Sequence, residues 1–259
     1  MPADSRPLLL LTNDDGVHAP GLRLLYQGMG ELYRAVIVAP DRDNSAVSHS
    51  LSLHRPLKVK EVEQNIFAVN GTPADCITLA VEKILPAKPD LIISGINDGA
   101  NLGHDISYSG TVSAAKEGTI RGVPSIAVSI SGDPPYHFAT AVTCAARITR
   151  LILASRLPED CYLNINVPNL EAAQISSMKI TRQGRRMYEN AVQELVDPWG
   201  RPCFWIGGGS PSRERGPGTD SYEMERGFIS VTPIHLDLTN YDALAALQES
   251  WTNKLNGGQ

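Results

Sequence analysis

Asp14 and Asp15 stand side by side in LLLLTNDDG, Leu8 to Gly16, where an apolar run breaks into a polar turn. Two neighbouring carboxylates repel each other unless a proton or a cation joins them, so an adjacent pair at a strand end points to a bound metal. Asn-Asp-Asp-Gly also suits a plain solvated turn, and the pair alone does not decide between the two. Two later segments carry compatible groups. PDRDNSAVSHS, from Pro40, offers Ser45; SGINDGANLGHDISYSGTVSAA, from Ser94, offers Asn97, Asn101, Ser109, Gly110 and Thr111. Carboxylate, hydroxyl and amide oxygens are hard donors that suit Mg²⁺, Mn²⁺ or Ca²⁺, and the shortage of His and Cys among them argues against zinc or copper. Ser109, Gly110 and Thr111 stand directly before an alanine-rich helical pattern, whose free N–H groups and dipole favour an anion such as phosphate. By itself that triplet is better explained as a helix cap. Its conjunction with the other two segments gives it chemistry.

These groups can meet only if the elements before them end at one place. The first two-thirds of the chain alternates short β-branched runs with helical patterns, the signature of βαβ units and a mainly parallel sheet. Strands are expected at Leu8 to Thr12, Ala35 to Ala39, Leu57 to Val62, Ile66 to Asn70, Leu91 to Ser94, Ser125 to Ser131 and Tyr162 to Val167. Helices are expected from Pro20 to about Tyr33, Pro73 to Leu85, Thr111 to Arg121 and Phe138 to Arg156. In such sheets ligands collect beyond the carboxyl ends of the strands, and all three polar segments follow buried strands. Beyond about Lys179 the texture changes to Gly, Pro and Arg clusters. A hairpin of Tyr188 to Val196 and Pro202 to Ile206 turns at Asp197 to Gly200, and a strand at Phe228 to Leu238 and an amphipathic helix at Tyr241 to Leu255 follow. The chain thus divides into a catalytic core, residues 1–178, and an extension, residues 179–259, that packs partly on the core and serves subunit exchange; a homodimer or homotetramer is expected.

With 259 residues, 42% hydrophobic and 20% charged, the chain can bury one large core and is neither disordered nor fibrous. A net charge of −5 argues against a footprint on duplex nucleic acid, which needs a basic face. The early apolar run, Leu8 to Leu11, falls far short of the roughly 20 residues that span a bilayer, and no basic segment precedes it, so no membrane and a cytoplasmic location are expected. Cys76, Cys144, Cys161 and Cys203 show no Cys-x-x-Cys spacing, and neither a zinc site nor a disulfide framework is indicated.

NDDGVHAPG (Asn13 to Gly21), APDRDNS (Ala39 to Ser45), GTPADC (Gly71 to Cys76), SGINDGANLG (Ser94 to Gly103), YSGTV (Tyr108 to Val112) and GPGTD (Gly216 to Asp220), in this order and spacing, resemble the SurE family of survival-protein nucleotidases. The resemblance covers nearly the whole chain. It implies a Rossmann-like three-layer core, a C-terminal oligomerisation region, and a metal-dependent phosphatase acting on nucleoside 5'-monophosphates. Carried over motif by motif, it implies one divalent ion per subunit, Mg²⁺ or Mn²⁺, held by Asp14, Asp15, Ser45 and Asn97. Asn101, Ser109, Gly110 and Thr111 would hold phosphate, and Asp14 and Asp15 would be the catalytic pair. Where the family often has Gly after the loop serine, this chain has Ala46. Asp98 receives no role.

Metal-assisted attack of water is the expected route. An aspartyl-phosphate intermediate and a non-catalytic nucleotide-binding module remain as alternatives, the second disfavoured because paired carboxylates beside a phosphate are unfavourable without a cation. A dinucleotide oxidoreductase would need G-x-G-x-x-G after its first strand, where NDDGVHAPG stands instead. His18 and His104 are expected to be structural or solvated, Asp75 to cap its helix, and Arg185 and Arg186 to be solvated or interface charges.

Overall fold

The computed structural model describes residues 5–189, 192–207, 210–214 and 216–255. Its strands are β1 (Leu8–Thr12), β2 (Arg34–Pro40), β3 (Val59–Glu63), β4 (Ile66–Val69), β5 (Leu91–Asp98), β6 (Ser125–Ser131), β7 (Cys161–Pro168), β8 (Met178–Ile180), β9 (Arg186–Glu189), β10 (Val192–Val196), β11 (Pro202–Ile206), β12 (Ser210–Arg213) and β13 (Ile229–His235). Its helices are α1 (Pro20–Gly30), α2 (Pro73–Leu79), α3 (Gly110–Ile120), α4 (Phe138–Ser155), α5 (Asp220–Glu225) and α6 (Tyr241–Leu255). A nine-stranded sheet runs β3-β4-β2-β1-β5-β6-β7-β13-β8. Neighbours are parallel except β3 with β4 and β7 with β13. Two small antiparallel pairs, β10 with β11 and β9 with β12, stand apart from it.

The leucine run of β1 shows why the sheet needs helices on both faces. Successive side chains of a strand point to opposite sides, and all four leucines are buried. Leu9 and Leu11 join Leu22 and Leu25 of α1 and Ala141 and Ile148 of α4 in one cluster. Leu8 and Leu10 join Cys76 and Ile77 of α2 and Ala114 of α3 in the other. A parallel strand buried on both faces reads as continuous apolar sequence rather than as alternation. By length and composition α4 could cross a membrane, with a mean hydropathy of 1.3 over 18 residues. Its stripe from Ala141 to Ile152 instead fills the core beside α1.

Several boundaries differ from the expected ones, each for a local reason. α1 stops at Gly30, since Gly28 and Gly30 weaken its last turn. Helix α2 gives way to a π turn over Ala80–Ile84. Strand β5 continues to Asp98, because Asn97 and Asp98 pair with Ser129 and Ile130 beyond an irregularity at Gly95. The expected strand from Tyr188 to Val196 crosses Asn190 and Ala191, which lie outside the described residues; on either side of them stand two strands with different partners. Short elements such as β8 and α5, of three and six residues, carry no period that a sequence reading could use. β13 enters the main sheet between β7 and β8, so part of the C-terminal third belongs to the central layer.

Candidate active site

Thr12 at the end of β1 lies beside Ser94 of β5, and β1 feeds β2 on its other side, so the strand order reverses between β1 and β5. That reversal opens a crevice at the carboxyl ends, where ligands of doubly wound sheets bind. In the turn after β1, fully buried Asn13 donates from Nδ2 to Gly16 O (3.0 Å) and accepts from Gly16 N (3.2 Å). Gly16 takes φ +103°, open only to glycine at low cost. The closed turn sends Asp14 inward, 4% exposed. There Asp14 Oδ2 accepts from Thr111 N at 3.0 Å, and Oδ1 accepts from Thr111 Oγ1. A Cβ on Gly110 would lie 2.8 Å from both Asp14 Cβ and Asp14 Oδ2. The start of α3 therefore receives a carboxylate of the chain itself, where the dipole favours negative charge. Ser109 caps the helix by accepting from Val112 N (3.1 Å).

The other expected ligands come from neighbouring loops and strand ends. Asn44 N donates to Asp14 O (2.8 Å), which seats the segment after β2 on the aspartate turn. Ser45, exposed, donates from Oγ to Asp43 Oδ1 (2.6 Å). Asn97 commits its Nδ2 to Gly99 O (2.8 Å), leaving Oδ1 as the atom able to face a cation. Asn101 is held against the sheet: its N donates to Asn166 Oδ1 (2.8 Å), its Nδ2 to Ser129 Oγ (2.8 Å), and its carbonyl accepts from Asn164 and Asn166. Asp14, Gly110 and Thr111 thus touch directly, whereas the side chains of Ser109 and Asn101 serve the cap and the sheet.

Negative charge is crowded here. Burial raises the carboxyl of Asp14, and the two bonds from Thr111 oppose that rise. Asp15 is pushed up to about 7, first by burial and then by Asp14, Asp98 and Asp43. Tyr136 is raised as well, by burial and then by Asp98, Asp133 and Asp15. Asp43 and Asp98 thus belong to the same acidic mouth, which the sequence signalled only by their nearness to Ser45 and Asn97. A carboxylate pair whose two members are both raised, ringed by further acids and oxygen donors, fits a hard divalent cation. Among the described residues no three His, Cys, Asp or Glu side chains gather into a metal-holding group. The expected donor set has two carboxylates, its other members being a hydroxyl and an amide.

The remaining motifs are structural. Asp75 and Thr72 form a reciprocal capping box at α2, as expected for Asp75. His104 Nδ1 lies 2.9 Å from Arg186 O, and Arg186 pairs with Asp105 at 2.9 Å. Asp220 of GPGTD, fully buried, accepts from Gly103 N (2.8 Å), Gly184 N (3.0 Å) and Ser221 N (2.7 Å), tying the third polar loop to the C-terminal segment. Its role was invisible in sequence, because Gly103 and Asp220 are 117 positions apart. A cleft of about 860 Å³ opens at the opposite, amino ends of the strands, lined by Lys88, Asp90, Arg156 and Glu159 among others. That end is not where the strand-order reversal opens a crevice.

Fold and site together define a doubly wound α/β protein with an acidic, oxygen-lined crevice beside a helix N-terminus. Residues 9–190 match the family model described as Survival protein SurE. A protein of Geobacter sp. (strain M21) named 5'-nucleotidase SurE is 48% identical over 244 residues, 94% of this chain and 98% of that protein. One of the same name from Geobacter sulfurreducens is 49% identical over 94% of this chain and 93% of its own length. The crystal structure of the SurE protein from Aquifex aeolicus aligns with a TM-score of 0.83 at 44% identity, covering 94% of this chain and 99% of that one. The chain belongs to the SurE family.

Proposed function

We propose that this protein is a metal-dependent 5'-nucleotidase that hydrolyses nucleoside 5'-monophosphates to nucleoside and phosphate at the crevice between β1 and β5. The observation that carries the reading is the inward Asp14, bound by Thr111 at the start of α3 beside an Asp15 whose carboxyl is raised to about 7. The relatives named 5'-nucleotidase SurE support the substrate class. Asp14, Asp15, Ser45 and Asn97 hold one divalent cation, Mg²⁺ or Mn²⁺. Such a cation, when bound, neutralises phosphate charge and lowers the pKa of a coordinated water. The chain supplies position. Thr111 fixes Asp14, Gly110 lets the backbone of α3 come close, and the phosphoryl group sits at the start of α3 against Ser109, whose capping hydroxyl still has its proton to donate, and Asn101, whose Nδ2 has a second one. An oxygen that accepts from Thr111 keeps a second lone pair for a cation, and water is retained over an aspartyl phosphate as the route.

We assign catalysis to residues 1–178 and subunit exchange to residues 179–259. Leu244, Leu247, Trp251 and Leu255 recur at helical spacing on α6 and are all exposed, as are Phe204, Trp205 and Ile206 on the β10–β11 hairpin. Apolar stripes of this kind are expected to be covered by a second copy, in a homodimer or homotetramer. A cytoplasmic location without membrane or duplex nucleic acid completes the reading.

Purified protein assayed on nucleoside monophosphates with Mg²⁺, Mn²⁺ or a chelator tests it. Phosphate release is expected with either metal and is lost in the chelator, and Asp14→Asn or Asp15→Asn abolishes turnover with the circular dichroism unchanged. Full activity in the chelator, or undiminished rates in both variants, would overturn the assignment.

A further inference from the structure

Residues 41–58 between β2 and β3 form no helix or strand, yet they carry Ser45. The backbone just beyond Ser45 is strained: Ala46 and Ser48 both take left-handed conformations, at φ 57° and 56°. Residues held in sparsely populated backbone regions persist only where their surroundings over-determine them. The surroundings here are specific. Ser48 is tied by its N to Tyr108 O (3.0 Å) and by its Oγ to Ser107 O (2.8 Å). Next to it, His49 Nε2 lies 2.9 Å from Glu117 Oε2.

Glu117 is a buried carboxylate on α3, 4% exposed, that the proposed reaction does not use. Its Oε1 accepts from Thr78 Oγ1 (3.1 Å) and Arg121 Nε (2.9 Å), so that α2, α3 and the Ser45 segment meet at one carboxyl group. Its carboxyl is held down to about 2, with the His49 bond the foremost cause. A buried charge is tolerated when it is fully paired, and removing one partner is costly. Glu117 also lies about two turns along α3 from Gly110, where the same helix receives Asp14.

We propose that the His49–Glu117 contact is the clamp that seats the Ser45 segment on α3, so that one rigid helix sets the spacing between Asp14 and Ser45. His49 is then a positioning residue for the metal site, acting through Ser45. The inference rests on the assignment of Ser45 as a ligand.

The test compares full-length wild type, His49→Ala and His49→Gln by Mn²⁺ titration calorimetry and by amide hydrogen exchange of residues 44–52 without metal. His49→Ala is expected to weaken Mn²⁺ binding about tenfold or more, the usual effect of losing an outer-shell partner. It should also speed exchange in 44–52, while Thr78 and Arg121 keep Glu117 paired and the fold in place. Gln can donate its side-chain amide to Glu117 Oε2, so His49→Gln recovers most of both losses. The proposal is overturned if His49→Ala keeps wild-type exchange, if it loses protection but binds Mn²⁺ as tightly as wild type, or if His49→Gln behaves like His49→Ala. Wild-type protein that bound no Mn²⁺ would instead remove the metal reading, and the exchange data would still decide whether the clamp exists.

Discussion

Gly110 lacks a side chain because Asp14 fills the space where one would be. Gly110→Ala sets a methyl group 2.8 Å from Asp14 Cβ and Oδ2, and the carboxylate or the helix start has to shift. A displacement near 1 Å at a catalytic group costs about 10²-fold in rate, so kcat should fall by that order while far-ultraviolet circular dichroism keeps its helical signal. Ala46 offers the opposite change. At φ 57° an L-residue carries a penalty of roughly 1–2 kcal/mol. Glycine removes it and gives back about 0.5–1 kcal/mol through a freer unfolded chain. Ala46→Gly should therefore raise stability by up to about 1.5 kcal/mol in urea titrations. Ala46 drew notice in the sequence only as a departure from the family pattern. The left-handed conformation is one that glycine adopts without the penalty alanine carries.

Helix α3 is the element on which the site is built. Its first turn receives Asp14 and its seventh-residue neighbour Glu117 receives His49, so two loops far apart in sequence are referenced to one rigid rod. The sequence marked the start of α3 as a candidate anion site through Ser109, Gly110 and Thr111. It could not show that Asp14 would come to meet it, since that contact spans 97 positions. α6 and the β10–β11 hairpin show the reverse case. Their apolar faces are legible from spacing alone, and the fold leaves them uncovered. Trp251→Glu on α6, combined with Trp205→Glu on the hairpin, is expected to shift the protein towards monomer in sedimentation velocity. An unchanged sedimentation coefficient in the double variant would overturn the proposal that these faces join subunits.

At the scale of the whole molecule, stability is coupled to charge at the aspartate pair. The folded chain holds Asp15 near 7 against an ordinary value of 3.8, so between those values the folded state binds a proton that the unfolded state has released. This contribution is fully present below about 4 and is lost as pH rises through about 7. Metal-free protein should therefore denature at lower urea near pH 8 than near pH 5. Mn²⁺ should cancel the difference, and Asp15→Asn should reduce it, leaving the part due to the raised carboxyl of Asp14. Glu117 and Asp237, whose carboxyls are lowered to about 2, act in the opposite sense and only in more acidic solution, outside this window. A midpoint that rises from pH 5 to pH 8 in the absence of metal would contradict the burial and crowding found at Asp15.

Strand and helix periods, the alternation of strands with helices and the positions of the three polar loops are written locally. β1, β6 and α6 run over the residues expected of them because the periods of 2 and 3.6, with turn and cap residues at their ends, are properties of neighbouring positions. The pairing of Asp14 and Asp15 and the oxygen-rich loops are local too, and they were enough to propose a cation. What only the tertiary structure decided is which groups meet: Asp14 with Thr111, Asp220 with Gly103, His49 with Glu117, and Asp43 and Asp98 with Asp15. Each joins segments brought together by the packing of strands and helices. A hydrogen bond or a carboxylate repulsion acts over a few ångströms of space, whatever the separation along the chain.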